Sequence, residues 1–187
     1  MSVQGRQKSP NRLNLKIMKY LYLFFVVTFL HCTTAPKVAG QFTDAEFDQM
    51  ATKMASGKVT DITVTDLKSN QADYIILDTR EKEEYEISHL EGAIWVGYDD
   101  FDINRLKEIP KEAKVLTYCS VGYRSERIGE KLQKAGYRDV YNLYGSIFSW
   151  INAGYPLVDG ENKPTNKVHG YNHRWGKWVK DSGVVVY

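Results

Sequence analysis

The apolar positions of this chain fall into short runs and helical stripes that alternate from Phe47 to Trp150. Phe47, Met50, Ala51 and Met54 recur at helical spacing and predict a helix over 44–56, within a helical segment spanning 43–58. Thr43 and Glu46 frame its start as a capping box, and Gly57 marks its stop. Strands are predicted at 59–63, 74–77, 94–96, 115–118 and 140–142, each a brief run rich in Val, Ile, Leu or Tyr. Between them the pattern predicts helices near 65–69, 81–87, 125–135 and 146–152 and a helical turn at 101–106. The stripe Ile128, Leu132, Ala135 carries the longest of these. Short strands alternating with helices predict an α/β fold, three layers with a central, mostly parallel sheet flanked by helices.

Two regions stand outside this alternation. Tyr20–Leu30 is an apolar run of 11 residues, short of the roughly 20 a membrane span requires. Basic residues precede it and polar ones follow, so residues 1–32 read as an export signal and 33–42 as a tether. Cys32 directly after the run suits a lipoprotein signal with lipidation at Cys32; ordinary cleavage after Gly40 and an uncleaved anchor are the rivals. Each places the domain outside the cytoplasm, which in a bacterium is the periplasm, with membrane contact only through that anchor. At the other end, 161–187 is an extension rich in Asn, Lys and aromatic residues. His169 and His173 stand four apart there, but Gly170 lies between them and no third ligand is evident, so no metal site is assigned. Trp175 and Trp178 are expected to pack back onto the domain.

Charge changes the picture in one respect. The formal net charge of +2 comes from the export segment: 1–32 holds Arg6, Lys8, Arg12, Lys16 and Lys19 and no acid, leaving 20 basic against 23 acidic residues beyond it. The body of the chain therefore offers no basic footprint for nucleic acid. With two cysteines, Cys32 and Cys119, a disulfide framework is excluded.

The candidate chemistry lies in Val115–Ser125, VLTYCSVGYRS. A buried strand ends at a thiol, a tight loop follows, and a helix opens near Arg124. Successive backbone N–H groups curving into a helix N-terminus favour negative charge. Cys119 in that concavity is expected to ionise below the usual thiol value of about 8.5. Gly122 permits the turn, Arg124 adds a fixed positive charge, and Ser120, Val121 and Tyr123 complete the cradle. This predicts Cys119 as nucleophile and Ser120, Val121, Gly122, Tyr123 and Arg124 as substrate-binding residues.

The loop CSVGYRS resembles the active-site loop of the rhodanese family of single-domain sulfurtransferases. Further landmarks stand in the family's order: Ile76-Leu77-Asp78-Thr79-Arg80-Glu81 with Glu84-Tyr85, His89-Leu90-Glu91-Gly92-Ala93-Ile94, Ala135-Gly136-Tyr137, Leu143-Tyr144-Gly145-Ser146 with Trp150, and Ala153-Gly154-Tyr155-Pro156. The chain departs from the family at Ser146, where Gly is frequent, and at Glu91, where Pro is frequent. The resemblance implies a rhodanese-like domain over 59–160. It also implies thiosulfate sulfurtransferase-like activity: sulfane sulfur passes from a small donor such as thiosulfate or a persulfide, through a Cys119 persulfide, to cyanide or a thiol, a protein thiol included. No metal or organic cofactor is called for.

Two rivals are set beside this reading. Cysteine-dependent phosphatases and arsenate reductases use a similar cradle with one residue more between Cys and Arg than the four present here. A non-catalytic module that carries or senses sulfane sulfur, or only binds a partner, is the other. Asp78, Arg80 and His89 are expected to serve structure: Asp78 as a local hydrogen-bond acceptor, Arg80 paired with a carboxylate, and His89 in a turn.

Overall fold

The structure, a computed structural model, describes residues 45–187. The predicted export signal with Cys32, the predicted tether and the predicted Thr43 cap all lie outside those residues. The described residues open with α1 (Ala45–Met54), which buries Phe47, Met50 and Ala51 as its stripe requires. There follow β1 (Thr60–Ile62), α2 (Val64–Asn70), β2 (Ile75–Asp78), α3 (Lys82–Ile87), β3 (Ile94–Trp95), a 3-10 turn at Ile103–Leu106, β4 (Lys114–Tyr118), α4 (Tyr123–Lys134), β5 (Asp139–Leu143) and α5 (Ser146–Asn152).

The five strands form one sheet in the order β1-β5-β4-β2-β3, and every neighbouring pair is parallel. β4 lies at its centre, which accounts for the complete burial of Val115, Leu116, Thr117 and Tyr118. Side chains alternate between the faces. Ile76, Leu116, Tyr118 and Leu143 join one core with α1, α2 and α5. Leu77, Val115 and Val140 join a second with Ile128 and Leu132 of α4. The molecule is thus the predicted three-layer α/β fold, with helices on both faces of a parallel sheet.

The predicted elements are present, with boundaries displaced by a few residues. The notable shift is α4, predicted from Ser125 and observed from Tyr123. Its first helical bond runs from Glu126 N–H to Gly122 O, 3.2 Å. Tyr123 is 44% exposed, so apolar periodicity gives no sign that it is helical.

The C-terminal extension is folded onto this body. β6 (Leu157–Val158) pairs with β7 (Pro164–Thr165), and β8 (Val168–His169) with β9 (Val185–Val186). A single turn of helix, α6 (His173–Gly176), lies between β8 and β9. Trp175 and Trp178 pack against the first core, Trp178 edge-on to Phe47 with centroids 6.0 Å apart. Asn152 anchors the segment, accepting from Lys180 N–H at 2.8 Å and donating to Trp178 O at 2.9 Å. The position of β8 and α6 bears directly on the site below.

Candidate active site

Central strand β4 delivers Cys119 to the carboxyl end of the sheet, where open α/β sheets place ligands. The loop that begins there is held by α5. The N–H groups of Ile147 and Phe148, in the first turn of α5, donate to Cys119 O and Ser120 O at 3.1 and 3.2 Å. Cys119 N–H donates to Ser146 Oγ at 3.0 Å, and that hydroxyl reaches Leu143 O at 3.3 Å. Gly145 and Ser146 are both left-handed, with φ of 65° and 54°. The departure from glycine at Ser146 thus costs backbone strain and gains an acceptor for a buried N–H. Ser146→Ala keeps the strain and orphans that N–H, and is expected to lower stability by about 2 kcal/mol. Ser146→Gly relieves the strain and is expected to lose less. Urea midpoints of the two variants check the order.

The thiol is 1% exposed and faces the start of α4. Gly122 N–H donates to Cys119 Sγ at 3.2 Å, and Ser125 Oγ stands 3.7 Å from it. Gly122 holds φ of 108°, a conformation that costs a residue with a side chain considerably more. Ser125 Oγ lies 2.6 Å from Asn142 Oδ1, and Asn142 Nδ2 donates to Asp61 at 2.8 Å, fixing the hydroxyl beside the sulfur. Burial alone pushes the thiol's pKa up. The positive charge of Arg124 and backbone N–H groups of Ser125, Val121 and Gly122 outweigh it, and the pKa falls below the ordinary value. Arg124→Gln removes the cation and leaves an uncompensated buried carboxylate nearby, so the thiolate is expected to form at higher pH than in the unaltered chain. Ultraviolet titration of the thiolate in the folded protein reads the shift; a midpoint that stays or falls contradicts it.

Arg124 does more than present a charge. Its guanidinium meets Glu84 in a two-pronged pair, Nη1 to Oε2 at 2.7 Å and Nη2 to Oε1 at 2.9 Å. Nη2 also donates to Ser120 Oγ at 3.0 Å, and Glu81 stands 3.6 Å from Nη1. Glu84 is 2% exposed. Burial pushes its carboxyl up, but the bond and charge of Arg124, with Arg80 behind, bring it below its usual value. The structure therefore spends most of this cation on the protein itself. Glu84 was absent from the sequence-predicted site. Its signal was available as an acid at the third position of α3, where it also closes a capping box by accepting from Glu81 N–H at 3.1 Å.

The predicted residues converge on one pocket of about 520 Å³. Cys119, Ser120, Val121, Tyr123 and Arg124 line it. Gly122 lies behind them, with its N–H on the sulfur. Sequence reasoning missed the rest of the lining: Met54 of α1, Glu81, Tyr98 and Asp99, and Tyr171, Arg174 and Trp175 from the extension. Tyr171 lies over the Arg124 guanidinium, 5.0 Å from it to the ring centroid. It does so from a left-handed backbone with φ of 61°, which costs a bulky residue on the order of 1 kcal/mol or more.

The other sequence candidates lie elsewhere. Asp78 and Arg80 pair with each other, both 0% exposed, with Asp78 also accepting from Arg80 N–H. His89 bridges Val158 through its backbone and stacks on Tyr85 with centroids 3.8 Å apart. His169 Nδ1 accepts from Tyr171 N–H at 3.1 Å, and the His173 ring lies 4.1 Å from that of Tyr187.

A parallel sheet that sets an ionisable thiol against a helix N-terminus, in a loop of amide donors, defines a cysteine-loop α/β domain. Residues 63–153 match the family model described as Rhodanese-like domain. The chain belongs to the rhodanese-like family through that domain. Among curated proteins it is similar to the tRNA uridine(34) hydroxylases of Bacillus cereus strain Q1 and Bacillus thuringiensis strain Al Hakam, 36% and 35% identical over 96 residues. The match covers 49% of this chain, which spans only 30% of the length of those relatives. Among solved structures it is similar to a rhodanese-related protein of Thermoplasma volcanium, 30% identical, covering 52% of this chain and 96% of that one, TM-score 0.45. A thiosulfate sulfurtransferase of Pseudomonas aeruginosa is 22% identical, covering 53% of this chain and 20% of that one, TM-score 0.48.

Proposed function

We propose that the chain is a sulfurtransferase that moves sulfane sulfur from a donor to a thiophilic acceptor through a persulfide on Cys119. The observation that carries this is the thiol itself: buried, shifted toward thiolate, and receiving an N–H at 3.2 Å in a cradle of amides. The thiolate attacks the outer sulfur of a persulfide R–S–SH; the S–S bond breaks, R–S⁻ leaves, and Cys119 carries the terminal sulfur as its own persulfide. A thiol or cyanide then takes that sulfur and restores the thiolate. The occupied state of Arg124 favours this over a phosphatase. A tetrahedral oxyanion needs an arginine free to clamp it, and here Glu84 already holds the two-pronged face.

The test is intact mass of the full chain after incubation with thiosulfate or a low-molecular-weight persulfide. A gain of one sulfur atom, removed by cyanide with release of thiocyanate, is the expected result. No gain with either donor, while Cys119 still reacts with an alkylating agent, overturns the proposal and leaves the binding module as the better reading.

A further inference from the structure

The pocket above Cys119 is larger than a small oxyanion requires. At about 520 Å³ it falls in the range that encloses an organic ligand. Its charge is distributed unusually. Arg124 is committed to Glu84 and approached by Glu81. Burial first, with the charges of Asp99 and Glu84 adding to it, keeps the Glu81 carboxyl above its usual value in spite of Arg124. Glu81 and Asp99 line the approach to the Cys119 thiolate, and a thiosulfate dianion meets their carboxylates.

Two charged residues of the lining are uncommitted. Arg174 and Asp99 are both exposed, and among the described residues neither forms an ion pair, with each other or with any other group. Between these charges the lining is aromatic and apolar: Tyr171, Trp175, Tyr98 and Met54. Tyr171 adopts its left-handed backbone next to this lining, the kind of outlier that persists where a site holds it.

We infer that Arg174 and Asp99 form a recognition subsite for a zwitterionic persulfide, an amino-acid or short-peptide thiol carrying one sulfane sulfur. Arg174 takes the donor's carboxylate and Asp99 its ammonium, while its stem lies along the aromatic lining and its outer sulfur faces Cys119. Such a donor brings no net charge into the pocket beyond that of its sulfur, and it matches both unpaired groups at once. The C-terminal extension, which supplies Tyr171, Arg174 and Trp175, then selects the donor together with Asp99. This inference rests on the sulfur-transfer reading and narrows its donor class.

The test uses the full chain and follows the concentration of donor that half-loads Cys119, by intact mass. The probes are cysteine persulfide, its carboxamide, its N-acetyl derivative, a short-peptide persulfide with free termini, and thiosulfate. The free zwitterion is expected to load at about fivefold lower concentration than either blocked derivative, as one exposed ion pair allows. Arg174→Gln is expected to abolish the preference over the carboxamide, and Asp99→Asn the preference over the N-acetyl form. The ranking of cysteine against peptide persulfide assigns the source. Equal loading by all persulfides, a preference that survives both substitutions, or tighter loading by thiosulfate overturns the subsite while sulfur transfer stands. No loading by any donor overturns the sulfur-transfer reading, and the subsite with it.

Discussion

Cys119→Ser is expected to take up no sulfur from any donor and to lose at least about a thousandfold in turnover, the scale at which removal of a covalent nucleophile acts. The cradle explains why oxygen does not substitute. Three amides and Arg124 bring a thiol below its ordinary pKa even though burial opposes them. A serine hydroxyl starts many units higher, and the same field leaves it protonated at neutral pH. The variant keeps an acceptor for Gly122 N–H, which reaches the sulfur at 3.2 Å, so its fold and its thermal midpoint are expected to change little. That separation gives the experiment its force. A folded Cys119→Ser chain that still accepts sulfur places the chemistry elsewhere, and a chain that retains half its turnover sinks the covalent mechanism.

The largest effect on stability is expected away from the pocket, at Asp78. This carboxylate and Arg80 are both fully buried, in contact at 2.6 Å through Nη2 and at 3.0 Å through Nε. Arg80 also donates to Ser88 O. Asp78→Asn leaves a guanidinium that cannot lose its proton without a counter-charge, at a cost of about 3–5 kcal/mol. For a domain of this size that amounts to a fall of roughly 10 °C in thermal midpoint. The double variant Asp78→Leu with Arg80→Met removes both charges and is expected to recover most of the loss. Urea unfolding of the single and double variants measures the difference. Recovery in the double variant assigns the cost to the stranded charge; equal loss in both assigns it to packing around Tyr118, which also engages Asp78.

These two residues show how far local sequence reaches. Asp78 ends a run of apolar residues and Arg80 stands two positions on, so the sequence predicts a local acceptor and a carboxylate-paired arginine there, and the structure shows that each is the other's partner. The Cys119 loop is equally local. A short apolar run read as a buried strand, four residues between thiol and guanidinium, and a glycine before a helical stripe describe the loop itself. The error at α4 is instructive for the same reason. An apolar stripe records only the buried face of a helix, and its first residue, Tyr123, is on the exposed one.

What sequence could not supply was the choice among distant partners. Arg124 was expected to wait for a substrate, and it is held by Glu84, 40 positions away. The Cys119 N–H finds Ser146, 27 positions away, and Ser125 reaches Asp61 through Asn142. Tyr171, Arg174 and Trp175 belong to a segment whose polar composition gives no periodic signal, yet they line the pocket. The sequence by itself determined the alternation of strands and helices, the layered parallel sheet, and a thiol placed in an amide loop. Each of these follows from side-chain period or from bonds made within a few residues. The tertiary structure alone decided which carboxylate neutralises Arg124, which hydroxyl receives the loop, and which charges remain unpaired around the pocket. A buried charge pairs with whatever group the packed elements bring within reach, and that is settled only when the whole chain has closed.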